Sequence, residues 1–342
     1  MASDLQTRVL DFIRGRAVDE LFDTLALEAY WFQYDRNAVY RAYCDRQPPV
    51  TRWEEIPAVP TSAFKDFPIV CFPVQEAVAE FHTSGTTREK AGKHYFRTLE
   101  LYHAAILPPF STALIESGYR KLPMYALTPS PDEAPHSSLS HMMSVVLQEF
   151  GTADSGYFVT GGKLETDRLV RVLCEAQWAH QPVFLLGTAF AFVHLLDHCA
   201  AENLRLQLPA GSRVMETGGF KGRSRALSQA ELYESLARRL GISWIVNEYG
   251  MTELSTQFYS RLQTCKTAPA WARVQVINPH TGKPAAPGER GMIRVLDLAN
   301  LWSSICVQTE DLGVATSDGF EVMGRAAHAG VRGCSLTAED FR

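Results

Sequence analysis

The chain has 342 residues, of which 46% are apolar and 21% are charged, and this balance predicts a globular protein with a sizeable core. Its net charge is −5 and it has no cluster of Lys and Arg, which argues against a nucleic-acid partner. No apolar run approaches the roughly 20 residues of a membrane span, and the acidic N-terminus is unlike a signal peptide, so we expect no membrane span.

The first 96 residues predict helices, then an extended segment, then a polar loop. Residues 1–45 place apolar and aromatic side chains at three- and four-residue spacing, which is typical of helices. Five prolines at positions 48–68 predict an irregular extended approach. A loop with the sequence HTSGTTREKAGK follows at 82–93.

Apolar strands alternate with helices from residue 97 to residue 265. This rhythm predicts an α/β fold with a largely parallel sheet, in which ligands bind at the carboxyl ends of the strands. Three of the predicted strands run directly into polar or glycine-rich turns: Gly187-Thr188, Thr217-Gly218-Gly219 and Glu248-Tyr249-Gly250.

Shorter β-rich runs separated by Gly and Pro follow residue 270 and predict a small β subdomain. We therefore expect four parts. They are an N-terminal helical segment at 1–55, an α/β core at 56–268, the β subdomain at 269–325 and a C-terminal tail at 326–342.

The loop after Phe81 concentrates hydroxyl groups around one glycine. Its residues Thr83, Ser84, Gly85, Thr86 and Thr87 offer donors, and the glycine lets the backbone approach an anion closely. Lys90 and Lys93 then add positive charge, although the Walker pattern is absent. The pattern favours a polyphosphate site, and a solvated Ser/Thr-rich turn is the alternative that the loop alone leaves open.

Two later stretches carry oxygen ligands. NEYGMTELS at 247–255 places the Thr252 hydroxyl and the Glu253 carboxylate after an apolar strand, where they suit a phosphate and its Mg²⁺, although a plain strand-to-helix turn is the alternative. In QTEDLG at 308–313 we expect Asp311 to precede a tight turn. Its carboxylate suits the two hydroxyls of a ribose, and an ordinary turn aspartate is the alternative.

These three stretches, in this order, resemble the core motifs of the adenylate-forming superfamily over about residues 55–342. The resemblance implies the N-terminal-type core of that superfamily, with parallel or mixed sheets flanked by helices and a small β subdomain, and most of the usual C-terminal domain lacking. It also implies ATP and Mg²⁺ as cofactors, bound by the 56–268 core. Arg88 departs from the pattern, because it stands where the superfamily has a glycine.

The resemblance implies a role for each matching residue. The loop residues 83–87 and Lys93 would hold the ATP phosphates, and Gly250 would contact the substrate. His82 stands next to the loop, where it could orient the substrate carboxylate or could equally cap the loop. The remaining nucleotide contacts are implied for Gly218, Gly219, Tyr249 and Gly250 (adenine), Thr252 (α-phosphate), Asp311 (ribose) and Arg325 (hinge). Glu253 would bind Mg²⁺, and Thr252, Glu253 and Lys93 would act in catalysis together with a cysteine.

That cysteine is Cys334, in the terminal sequence GRAAHAGVRGCSLTAEDFR. The superfamily normally continues there into a domain of roughly a hundred residues that supplies a catalytic lysine. Arg332 precedes the thiol closely, and a nearby cation lowers a thiol's pKa, which a nucleophile needs. An ordinary surface cysteine is the alternative.

The other six cysteines predict no special site. The total of seven is odd, the spacing is wide and no Cys-x-x-Cys occurs, which argues against a disulfide framework or a zinc site. Free cysteines of this kind are typical of a reducing compartment, so we expect a cytoplasmic protein.

The terminal Arg-Gly-Cys-Ser-Leu and the approach segment IPAVPTSAFKDF at 56–67 are similar to the acyl-protein synthetases of bacterial bioluminescence fatty-acid reductase complexes. This narrower resemblance implies a ligase that converts a carboxylic acid, such as a fatty acid, to acyl-AMP. It further implies transfer to Cys334 as a thioester and delivery to a partner reductase. Two alternatives stay open, an acyl- or aryl-CoA ligase related to phenylacetate-CoA ligases and a non-catalytic scaffold. The sequence leaves open whether a homo- or hetero-oligomer forms.

Two other patterns are weaker. His194 and His198 stand four residues apart on a predicted helix and could bind a metal, but core packing is the more common role. HSSLSHMM at 136–143 lacks the Gly-x-Ser-x-Gly elbow of serine hydrolases.

Overall fold

A computed structural model describes residues 2–16, 21–83, 90–115, 121–218, 227–260 and 265–325. The α-helices in these ranges are α1 (Ala2–Ile13), α2 (Phe22–Arg36), α3 (Ala38–Cys44), α4 (Ala63–Asp66), α5 (Glu100–Leu114), α6 (Ser138–Phe150), α7 (Thr166–Trp178), α8 (Ala189–Ala201) and α9 (Gln229–Leu240). Within the same ranges, no helix combines the length and the apolar character that crossing a membrane requires.

The strands of the described ranges vary from two to eleven residues. They are β1 (Val59–Pro60), β2 (Ala79–His82), β3 (Lys93–Phe96), β4 (Met124–Leu127), β5 (Gly156–Tyr157), β6 (Val159–Thr160), β7 (Lys163–Leu164), β8 (Phe184–Thr188), β9 (Arg213–Thr217), β10 (Trp244–Tyr249), β11 (Phe258–Ser260), β12 (Lys266–Thr267), β13 (Ala272–Ile277), β14 (Arg290–Asp297), β15 (Cys306–Thr316) and β16 (Gly319–Arg325).

The chain divides into two compact units. Unit 1 comprises Met1–Pro108, Met251–Phe258 and Cys265–Arg342, and unit 2 comprises Pro109–Gly250 and Tyr259–Thr264. The chain passes from unit 2 to unit 1 after Gly250, so the motif predicted at 249–253 contributes residues to both units. The four-part division predicted from the sequence stays a prediction.

Unit 2 contains a parallel sheet in the order β10-β9-β8-β4-β5. Strands β4 and β8 are almost entirely buried, as expected of parallel strands that helices cover on both faces. Their apolar side chains pack with the inner faces of α7, α8 and α9 in one core cluster. The α/β fold predicted from the alternating strands and helices is confirmed.

Local capping signals in the sequence explain where the helices of unit 2 begin. The Thr188 hydroxyl at the end of β8 accepts a hydrogen bond from the Ala191 amide and starts α8. Ser228 and Glu231 form a reciprocal capping box that starts α9. At the end of β8 the chain therefore turns directly from strand into helix, at the sheet edge formed by the carboxyl ends of the parallel strands.

Unit 1 contains the antiparallel order β13-β14-β15-β16-β12, with β1 parallel to β15 and a separate β2–β3 hairpin. Buried Gln33 joins α2 to the segment between β14 and β15. Its amide donates to the Leu301 carbonyl at 2.9 Å, and its oxygen accepts from the Ile305 amide at 3.1 Å. The β-rich region predicted after residue 270 is confirmed.

The predicted tight turn after Asp311 is wrong. Asp311 lies in the middle of the eleven-residue strand β15, and the pairing with β16 shifts register between Leu312 and Gly313. A Cβ on Gly313 would lie 2.6 Å from the Glu321 carbonyl oxygen. The glycine therefore permits close strand approach at an irregularity, a role that is easily mistaken for a turn signal.

Candidate active site

The β2–β3 hairpin forms the base of the hydroxyl-rich loop. The Thr83 amide donates to the Gly92 carbonyl at 3.0 Å, and the Gly92 amide donates to the Thr83 hydroxyl at 2.9 Å. These two bonds fix the points where the chain leaves and re-enters the hairpin. The predicted residues Ser84, Gly85, Thr86 and Thr87 lie outside the described residues.

Two predicted site residues share one carboxylate at the end of this hairpin. The Lys93 ammonium donates to Glu80 Oε1 at 3.3 Å, and His82 Nε2 lies 2.9 Å from the same oxygen. The hydrogen bond from His82, followed by the contact with Lys93, lowers the pKa of Glu80. Lys93 and His82 are thus brought together beside the loop base.

Thr252 is bonded to both strands of the same hairpin. Its hydroxyl donates to the His82 carbonyl at 3.3 Å, and its own carbonyl lies 2.8 Å from His94 Nδ1. Burial lowers the pKa of His94 to about 4, so the ring is neutral at pH 7 and its Nδ1–H donates to the carbonyl. The loop base and the segment after β10 are therefore positioned by direct contact.

Glu253 is a buried carboxylate with neighbours of its own charge. Burial raises its pKa to about 7, Glu310 and Asp311 add to that effect, and Arg325 opposes it. Such a group suits a divalent cation, which supplies the positive charge that a buried carboxylate lacks. Glu253 therefore fits the predicted metal role.

Asp311 and Arg325 lie opposite each other on β15 and β16. Arg325 Nε is 3.7 Å from Asp311 Oδ1, and the Asp311 side chain is almost buried while that of Arg325 is mostly exposed. The structure thus places both predicted residues together in unit 1, near Glu253.

Sequence reasoning missed Asp297 and Asn300, which hold the segment that follows Glu253. The Asp297 carboxylate accepts hydrogen bonds from the Ser255 amide at 3.0 Å and the Thr256 amide at 2.8 Å. The Asn300 amide donates to the Glu253 carbonyl at 2.8 Å. The sequence did contain a usable pattern, because Asp297 and Asn300 stand inside the apolar run LDLANL. Polar residues that are buried in such a run are usually hydrogen-bonded to other parts of the chain.

In unit 2, the residues predicted for adenine lie at the carboxyl ends of β9 and β10. Gly218 follows β9 with φ of +84°, a conformation that favours glycine. Just before it, the Thr217 hydroxyl donates to Glu248 on β10. Tyr249 and Gly250 close β10 at the same sheet edge. Gly219 lies outside the described residues.

The described cysteines differ in how well they could act as nucleophiles. Burial raises the pKa of Cys199, and it raises the pKa values of Cys44, Cys71 and Cys306 to about 12. Cys174 is exposed and Cys265 is half-buried. Cys334 lies outside the described residues.

The histidine pair on α8 has ordinary partners. His198 Nε2 lies 3.5 Å from Asp167 Oδ1, and the His194 ring packs edge-on against Phe190 at 4.4 Å between centroids. These contacts account for both side chains without a metal.

A family model described as acyl-protein synthetase, LuxE, matches residues 7–341. Two curated relatives are both named long-chain-fatty-acid–luciferin-component ligase. The relative from Aliivibrio fischeri is 25% identical over 337 residues and the alignment covers 93% of this chain and 88% of that protein. The relative from Vibrio harveyi is 22% identical, with coverage of 93% and 87%.

Solved structures show similarity of fold. A 2-hydroxyisobutyryl-CoA ligase in complex with 2-HIB-AMP and CoA superposes with a TM-score of 0.67 at 16% identity, over 89% of this chain and 69% of that one. ATP-bound MatB from Rhodopseudomonas palustris gives 0.54 at 15% identity, over 75% of this chain. The alignment spans about half of the MatB chain, 49%.

Proposed function

The chain belongs to the LuxE family of acyl-protein synthetases, and we propose that it activates a carboxylic acid with ATP and carries the acyl group on its own Cys334. The family match over residues 7–341 carries this proposal. The contact of Thr252 with the hairpin that carries His82 and Lys93 supports it, because activation requires phosphate-binding groups in fixed positions.

The acid we propose is a fatty acid, since both curated relatives are named for long-chain fatty acids. Their names also refer to a luciferin component, and we propose a reductase subunit as the partner that takes the acyl group. A cytoplasmic location remains a prediction from the free cysteines.

The first step gives the acyl group a good leaving group, because AMP replaces the oxide that a free carboxylate would have to lose. A carboxylate oxygen attacks the α-phosphorus of ATP, the bond to the β-phosphate oxygen breaks, and pyrophosphate leaves with the bonding electrons. We assign the triphosphate to Thr83–Thr87 and Lys93 and the α-phosphate to Thr252. The substrate carboxylate is assigned to His82 and Gly250, the adenine to Tyr249 and its glycine neighbours, and the ribose to Asp311, beside Arg325.

The buried carboxylate of Glu253 is the group that we assign to Mg²⁺. When bound, the cation screens the phosphate charges against the incoming carboxylate. Asn300 holds the Glu253 carbonyl, and Asp297 holds the amides of Ser255 and Thr256, so the carboxylate is presented from a fixed backbone.

The second step moves the acyl group to sulfur. The Cys334 thiolate attacks the carbonyl carbon of acyl-AMP, a C–S bond forms, and AMP leaves with the electrons of the cleaved C–O bond. Four of the six described cysteines are poor candidates, because burial keeps their thiols protonated at neutral pH. Arg332, two residues before Cys334, favours the thiolate there.

The test separates the two steps. With radiolabelled acid and ATP, label is expected to remain on the denatured protein and to be released by neutral hydroxylamine. Cys334→Ala is expected to lose the label and to keep ATP–pyrophosphate exchange, whereas Thr252→Ala is expected to lose both.

Cys174→Ala is the matched control, because Cys174 is exposed and is expected to leave labelling unchanged. Label that persists in Cys334→Ala would contradict the acyl-cysteine step. AMP formation that depends on CoA, with no labelled protein, would instead identify the chain as a CoA ligase.

A further inference from the structure

A cavity of about 680 Å³ lies within unit 2 at the carboxyl ends of β4 and β8. This volume is within the roughly 300–1,000 Å³ that is usual for pockets holding a whole small molecule. Its apolar lining includes Leu127, Pro129, Leu139, Val159, Leu164 and Phe190.

Several polar residues that line the cavity turn their oxygens elsewhere. The Ser137 and Thr188 hydroxyls cap α6 and α8 by accepting backbone hydrogen bonds. The hydroxyl oxygens of Thr128 and Ser140 each expose less than 1 Å². These residues therefore present mostly carbon to the cavity, and the exposed groups Lys163, His194 and Asp197 form part of its rim.

The cavity and the residues of unit 2 that we assign to adenine share one edge of the parallel sheet. Thr188, in the cavity wall, pairs in register with Thr217, and Thr217 pairs with Glu248, the residue before Tyr249. Neighbouring strands are about 4.8 Å apart, so the end of β8 lies about 10 Å from the end of β10.

We propose that this cavity receives the hydrocarbon chain of a long-chain fatty acid whose carboxylate is held near Gly250. The inference rests on the proposed function and adds a chain-length requirement to it. An extended chain advances about 1.2 Å per bond, as an extended backbone does, so about eight bonds separate the carboxylate from the cavity. Acids of about six carbons end before the cavity, and acids of about fourteen carbons reach well inside it.

The lining favours hydrocarbon over a pantetheine arm. A pantetheine arm carries two amide groups, and burying an amide without hydrogen-bond partners is unfavourable. A hydrocarbon chain needs no such partners, and each methylene that enters is expected to tighten binding by up to about fourfold.

The test narrows the cavity and compares two acids. Leu139→Trp and Val159→Trp add volume at half-buried lining positions, where the fold is expected to tolerate a larger side chain. Leu204→Trp makes the same change at a half-buried leucine of unit 2 that does not line the cavity. ATP–pyrophosphate exchange is measured with hexanoate and with tetradecanoate, below the micelle-forming concentration.

In the parent chain, kcat/KM is expected to be at least about tenfold higher for tetradecanoate than for hexanoate. The two cavity variants are expected to lower the tetradecanoate value by about tenfold or more and to change the hexanoate value by less than about twofold, while Leu204→Trp changes neither. Three results would overturn the proposal. They are equal losses of activity for both acids, unchanged tetradecanoate activity in both cavity variants, and a raised KM for CoA alone.

Calorimetric binding of tetradecanoate without ATP distinguishes this inference from the proposed function. If no acid supports exchange but the cavity variants still weaken tetradecanoate binding, the proposed function fails and the cavity assignment stands. If exchange proceeds and binding is unaffected by either variant, the cavity assignment fails and the proposed function stands.

Discussion

Thr252 is the side chain with the most informative surroundings, because one hairpin holds it at two points. The His82 carbonyl accepts from its hydroxyl, and the His94 ring donates to its carbonyl. His94 is 2% exposed, and its ring packs against Phe96 at 4.2 Å between centroids. Any movement of the hairpin is therefore expected to move the group that we assign to the α-phosphate.

The buried His94 predicts a particular loss of stability in acid. Its folded-state pKa of about 4 lies below the usual value of 6.5, so between these values the unfolded chain takes up a proton that the folded chain does not. The neutral His94 ring makes its full contribution to the free energy of unfolding above pH 6.5, and this contribution is lost as the pH falls through 4. The full contribution is about 3 kcal/mol. Denaturant unfolding of the parent chain and His94→Phe at pH 7.5 and pH 4.5 measures it.

We expect His94→Phe to show a smaller fall in unfolding free energy between these two pH values than the parent chain. His280→Phe serves as the control, since His280 is exposed and its replacement disturbs no buried ring contact. The same pH slope in His94→Phe and in the parent chain would contradict the prediction.

Strand β15 shows how a local signal can be misread. Asp-Leu-Gly predicted a turn because glycine after a polar residue is common in turns. The structure instead continues the strand through Gly313, where β15 lies very close to β16 and to Ile293 of β14. No local pattern reveals this, because the neighbours that exclude a side chain come from other strands.

Gly313→Ala is expected to disturb the strand that carries Asp311. The added Cβ would meet a backbone oxygen at 2.6 Å and the Ile293 side chain at 2.8 Å, and such overpacking costs about 1–3 kcal/mol of stability. Nucleotide affinity is expected to fall with it. Chemical denaturation and ATP binding measure the two effects.

Gly156→Ala is the matched control on another strand, because its Cβ would meet nothing closer than the Arg168 guanidinium at 3.9 Å. It is expected to change stability by less than about 0.5 kcal/mol. Equal effects of the two substitutions would show that close strand approach at Gly313 is unimportant.

At the scale of the whole molecule, the sequence predicted the helices and strands of unit 2 well, but it did not predict contacts between residues that are far apart in the chain. The alternation of apolar strands and amphipathic helices predicted the parallel sheet of unit 2, because periodicity depends on each element alone. The contacts of Asp297 with Ser255 and Thr256 join residues more than forty positions apart, and spacing carries no information about them. For the same reason the sequence suggested Thr252 and Lys93 as site residues and did not suggest their partners His94 and Glu80.

Nucleotide binding is expected to stabilise the whole chain. A ligand that binds only the folded state adds about 2.7 kcal/mol when present at a hundred times its Kd, which raises the unfolding midpoint by several degrees. Asp311→Asn removes a carboxylate oxygen that we assign to the ribose and is expected to weaken ATP binding about tenfold. Thermal unfolding with and without ATP and Mg²⁺ measures the difference.

Asp318→Asn is the control, because Asp318 is exposed between β15 and β16. It is expected to keep the full thermal shift. Identical shifts in both variants would remove the ribose assignment for Asp311.

The four covered thiols make this chain well suited to selective dye attachment. Maleimides react with accessible thiolates, so the native protein is expected to take up no more than three dyes on its seven cysteines. Replacing Cys174 and Cys265 by serine would leave a single fluorophore on the sulfur that we assign to acyl transfer. A sulfur that carries an acyl group does not react with the maleimide. The extent of labelling during turnover would therefore report when the thioester on Cys334 forms and when the acyl group leaves it.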